Sequence, residues 1–139
     1  MGQWRRRLRK RLKNWRLMLK SKYFKKSEIE CHCGCGQCIM NGRLIEKADL
    51  LREFCGFPII VSSWNRCKRH NKDIGGSENS SHLRGEAIDV CCEDSKRRFI
   101  LIDKALQVGF RRIGLYKNRF ILHLDIDENK DQDVIWIYS

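Results

Sequence analysis

The sequence predicts an α+β domain: a small, mainly antiparallel sheet flanked by helices, with its chemistry on one sheet face and a basic helix at the N-terminus. Three observations predict it. Apolar and polar residues alternate with period two at 86–92 and 119–126, the pattern of half-buried strands. Helical spacing with end signals occurs at 44–55 and again up to Val108, but helices and strands do not alternate strictly. Charge is also segregated: residues 1–26 hold twelve Lys or Arg and no acid, whereas the remainder holds seventeen residues of each sign. The net charge of +12 therefore belongs to the tail.

Each element follows in order. Residues 4–22 read as an amphipathic helix, with Trp4, Leu8, Leu12, Trp15, Met18 and Leu19 within an arc of roughly 120°. This segment, 1–22, stands apart from a domain at 23–139. A cationic helix with Trp on its apolar face suits an anionic membrane or envelope surface. Docking of the apolar stripe on the domain competes with that reading, and nucleic acid ranks third. Residues 23–42 are loop-rich. The helix at 44–55 stops at Gly56, and the β-branched run 58–62 is a strand. Residues 63–85 are polar and read as an active-site loop. Glu86 to Cys92 is a strand. The next helix is capped by Asp94 or Ser95 and closed by Gly109. Residues 112–116, 119–126 and 133–138 are strands, with a tight turn at Lys117-Asn118.

Composition bounds the function. The 139 residues fit one domain plus a tail, and 42% hydrophobic with 33% charged residues is an ordinary soluble balance. No apolar run approaches the roughly 18 residues of a membrane span. The basic start lacks the apolar stretch of a Sec signal, so the expectation is a cytoplasmic protein with reduced thiols until release.

The chemistry lies in two strands. In Glu86-Ala87-Ile88-Asp89-Val90, Ile88 and Val90 face the core while Ala87 and Asp89 face the other way. In Phe120 to Ile126, His123 and Asp125 share the face opposite Leu122, Leu124 and Ile126. His82 precedes Asp89 by seven residues, and a turn at Gly85 returns it over the strand. Two imidazoles and a carboxylate form a three-ligand site with a fourth position open, as catalytic zinc requires. A related divalent ion also suits this donor set.

Ser81-His82-x-x-Gly85-x-Ala87-x-Asp89 followed by His123-x-Asp125 resembles the zinc D-Ala-D-Ala carboxypeptidase family of metallopeptidases, which includes phage endolysins. The short single-domain type is most similar. The stretch from Phe24 through Cys31-x-Cys33-Gly34-Cys35-Gly36 resembles its opening segment, and Arg66-Cys67-x-x-His70-Asn71 with Gly75-Gly76-Ser77 resembles its substrate loop. The resemblance implies zinc ligation by His82, Asp89 and His123. It implies Asp125 as general base or proton shuttle and Arg66 as the stabiliser of the developing oxyanion. It implies substrate hydrogen bonds from Ser80 and Ser81. Trp64 stands where the subgroup commonly has a small residue, which implies a reshaped substrate cleft. The implied activity is hydrolysis of amide bonds in peptidoglycan stem peptides, by a D,D-carboxypeptidase or an endopeptidase. The implied place of action is the cell wall, or a phage particle. The alternative is a non-catalytic zinc-binding structural or adhesion module of such a particle.

Cys31, Cys33, Cys35 and Cys38 raise the question of a second, structural zinc. Their spacing is tighter than the usual cysteine pairs of zinc sites, so one catalytic ion is expected, with disulfides or free thiols favoured for these cysteines.

Overall fold

A computed structural model describes residues 20–138. Almost all of the basic helix expected at 4–22 lies outside the described residues. Ten elements follow: α1 (Lys26–Ile29), α2 (Gly42–Cys55), β1 (Val61–Ser63), α3 (Lys68–Asp73), a 3-10 turn (Ser81–Arg84), β2 (Ala87–Cys91), α4 (Ser95–Val108), β3 (Arg112–Tyr116), β4 (Ile121–Asp125) and β5 (Val134–Tyr138).

The five strands form one sheet in the order β1-β2-β4-β3-β5. All neighbours are antiparallel except β3 and β5. This is the α+β, mainly antiparallel architecture that the alternation predicts. The core follows from strand parity. Ile88, Val90, Leu122, Leu124 and Ile113 belong to one buried cluster with Leu44, Leu51, Leu101 and Ala105 of the two long helices. Each fully buried Leu or Ile contributes about 1.5–3 kcal/mol of apolar burial. The helices end as their sequences predict. Asn41 accepts from the Arg43 and Leu44 amides at the start of α2, and Gly56 closes it at φ 70°. Asp94 caps α4 through the Arg97 amide.

Two differences from the sequence reading bear on the site. The polar loop 63–85 contains α3 and the 3-10 turn, which lack the apolar periodicity that marks a packed helix. The strand expected at 58–62 is shifted to Val61–Ser63, with pairing beginning where the Cys91 amide meets the Ile60 carbonyl at 2.8 Å. A bulge between Val61 and Ser63 then brings Ser63 opposite Asp89.

Candidate metal centre and its cleft

Register places the expected residues together. On β2 and β4, Asp89 lies opposite His123, and Ala87 lies opposite Asp125. Alanine leaves room for the larger pair. His82 returns over β2 through the 3-10 turn, which Gly85 closes at φ 69°. A Cβ at Gly85 would stand 2.6 Å from the Ile39 carbonyl oxygen, so this turn requires glycine twice over.

The donor atoms of His82, Asp89 and His123 all lie within 4.8 Å of one another. His82 Nε2 and His123 Nδ1 stand 3.1 and 3.0 Å from the same oxygen, Asp89 Oδ1. The far side of each ring fixes its proton. His82 Nδ1 is 2.7 Å from the Trp64 carbonyl, which can only accept, so Nδ1 carries hydrogen. His123 Nε2 likewise donates to Asp125 Oδ2 at 2.7 Å. In the neutral rings, bare nitrogen lone pairs therefore face a carboxylate oxygen from two sides. That arrangement is repulsive unless a cation lies between them, and outward N–H groups held by a carbonyl and a carboxylate are what metal-bound histidines use. The donor set fits zinc.

Burial shapes the charges. It opposes ionisation of Asp89, but the adjacent His123 and His82 imidazoles outweigh it and hold the carboxyl well below the usual range. Burial lowers the His82 pKa and favours its neutral ring. At His123 burial pulls the same way, but the Asp125 and Asp89 carboxylates on either side of the ring win and the pKa rises.

The centre lies in a cleft of about 680 Å³. Arg66 holds its carboxylate in place: Nη2 meets Asp89 Oδ2 at 3.3 Å, Nη1 meets Asn71 Oδ1 at 2.9 Å, and Nε meets Ser63 Oγ at 3.1 Å. Gly76 admits this arrangement, since a Cβ there would fall 2.1 Å from Asn71 Oδ1. Ser80 and Ser81 also line the cleft. Ser80 caps the 3-10 turn through the His82 amide, and Ser81 donates to Asp127 Oδ2 at 2.8 Å.

One sequence expectation changes. Trp64 does not reach the cleft. Its side chain is 0% exposed and packs edge-on against Phe24, 5.5 Å between centroids. It follows Ser63, which lines the cleft, and turns inward; only its carbonyl serves the site. Asp125 is present but committed. It is 1% exposed, Oδ2 accepts from His123, and Oδ1 accepts from Arg112 Nε at 2.7 Å and the Asp127 amide at 3.1 Å. Both of its oxygens are thus hydrogen-bonded where it lines the cleft.

Other residues of the site went unread in the sequence. Arg112 lies under the Trp136 ring, 4.8 Å from its centroid. Trp136 and Tyr138 of β5 flank His123 at 5.5 and 6.0 Å, and Tyr138 stacks on Tyr116 at 4.4 Å. Burial pushes the Tyr138 phenol up to about 12, so it stays a neutral donor. The available signal was parity: Arg112, Gly114 and Tyr116 share one face of β3, and Trp136 and Tyr138 share one face of β5.

No curated protein matches the chain. A family model described as Peptidase M15 matches residues 22–125, a stretch that contains all three converging ligands and Arg66. Two histidines poised by outward hydrogen bonds around a buried aspartate, set within a match that spans most of the sequence, place the chain in the Peptidase M15 family, whose members are zinc metallopeptidases of the D-Ala-D-Ala carboxypeptidase type.

Proposed function

We propose that the protein hydrolyses an amide bond in peptidoglycan stem peptides, and that the basic segment at 4–22 holds it at an anionic envelope surface. The observation that carries the reading is the convergence of His82, Asp89 and His123 in a cleft lined by Arg66, Arg112, Arg119 and Lys130. A basic lining of this kind suits a short peptide bearing carboxylates. When bound, zinc supplies a Lewis acid that polarises the scissile carbonyl and acidifies water. The chain's own residues do the rest. Arg66 anchors Asp89 and lines the cleft, and its guanidinium would stabilise negative charge growing on a carbonyl oxygen there. Asp125, gripped by Arg112, holds the His123 ring in one tautomer and one orientation. Tyr116, Trp136 and Tyr138 wall one side of the cleft and give a substrate an aromatic surface.

The test is mass spectrometry of purified stem peptides incubated with the full chain, with chelator and with zinc restored. Metal-dependent loss of a terminal residue makes the activity a carboxypeptidase, and internal cleavage makes it an endopeptidase. A second reading, a zinc-binding module without turnover, is favoured by one observation: Asp89 and Asp125, the only carboxylates lining the cleft among the described residues, are both engaged. Absence of cleavage by folded, zinc-loaded protein would select it.

A further inference from the structure

The cysteine-rich opening forms a cluster different from the one its spacing suggested. Cys38 does not join it; its sulfur lies 3.6 Å from Met40 Sδ. The fourth partner of Cys31, Cys33 and Cys35 is Cys67, from the segment that carries Arg66. The four sulfurs all lie within 4.8 Å of one another, with Cys31 to Cys33 at 3.5 Å and Cys33 to Cys67 at 3.7 Å. A tetrahedral zinc with Zn–S bonds of about 2.3 Å sets its sulfurs about 3.8 Å apart. The Cys31–Cys33 and Cys33–Cys67 contacts match that spacing, and no pair of the four exceeds 4.8 Å.

Backbone amides point at three of the four sulfurs. The Cys67 amide donates to Cys31 Sγ at 3.3 Å, the His70 amide to Cys67 Sγ at 3.3 Å, and the Gln37 amide to Cys35 Sγ at 3.4 Å. The Arg69 side chain stands beside Cys33 and Cys67 and offsets negative charge. Gly34 and Gly36, at φ 84° and 82°, supply the left-handed turns that fold so tight a cysteine spacing back on itself. The loop is also docked: the Asn65 amide bonds the Ile29 carbonyl, and the Gln37 side chain bonds Asn65 Oδ1 and the Arg66 carbonyl, each at 3.0–3.3 Å. Disulfides need the sulfurs only in pairs, whereas here four converge.

We propose that Cys31, Cys33, Cys35 and Cys67 bind a second, structural zinc ion that clamps the opening loop to the residue next to Arg66. Binding releases the thiol protons to solvent and leaves four thiolates on the metal. The inference is independent of any hydrolytic activity.

The test is metal content of the full chain purified under reducing conditions. Two zinc equivalents are expected in the wild type and one in a His82→Ala/His123→Ala variant. Cobalt exchanged into that variant is expected to give an intense thiolate-to-metal charge-transfer band. In the wild type, the four cysteines are expected to resist alkylation until chelator is added. The proposal is overturned if the histidine variant folds without metal, if cobalt-loaded wild type lacks the thiolate band, or if unreduced protein carries disulfides among these four residues. The wild-type cobalt spectrum decides the matter even where the variant does not fold. Loss of peptidase activity alone bears on the first site and leaves this one standing.

Discussion

At the scale of single residues, the site is a matter of which face of each imidazole is free. Trp64 contributes a carbonyl and Asp125 a carboxylate, and between them they turn the bare nitrogens of His82 and His123 toward Asp89. Asp125→Asn tests whether this role is positioning. The variant is expected to stay folded and to bind zinc about 10–100-fold more weakly. Competition with a chelating dye measures that change, which a general base without a positioning role would leave untouched. The ligands themselves were legible because strand parity fixes which neighbours share a face. The commitments of Asp125 were not, because its partner Arg112 is thirteen residues away on another strand. Trp64 is the opposite case: its loop position beside the site implies a cleft residue, but the side chain is core.

At the scale of elements, the sheet was readable where alternation was strong, and β2, β4 and α4 lie close to where the sequence puts them. Helix α3 was missed because KRHNKD has no apolar stripe; it is held by the Cys67 cap and by Asn71, not by a core face. The aromatic wall depends on one small residue in the middle of β3. Gly114 lies opposite His123 on one side and Trp136 on the other, and a Cβ there would stand 2.6 Å from the Tyr138 ring and 2.9 Å from Trp136. Gly114→Ala is therefore expected to displace β5 and lower stability by about 1–3 kcal/mol, read from a denaturant titration.

At the scale of the whole molecule, acid stability rests on buried carboxylates. Asp127 is 0% exposed; burial opposes its charge, but bonds from Ser81, the Asn129 amide and Arg84 hold its pKa below the ordinary value. A depressed folded pKa means that its contribution is full above about pH 4 and is lost as pH falls through the lower, folded value. Asp89 and Asp125 shift in the same direction. The protein is expected to lose stability steeply below about pH 4. Asp127→Asn should cost on the order of 1–3 kcal/mol at neutral pH and flatten that acid limb, as unfolding midpoints across pH would show. The neutral balance of the domain was visible in the sequence, but this network was not, since it ties the 3-10 turn to the loop after β4.

The aromatic wall has an optical consequence. Trp136 lies 5.5 Å from a candidate metal ligand and against a guanidinium, whereas Trp64 is sealed in the core. Of these two indoles, one is placed to have its emission quenched by an open-shell ion at the histidines, and the other is placed to report the packing of the interior. The fold thus carries its own pair of fluorescent gauges, one for occupancy of the cleft and one for integrity of the core.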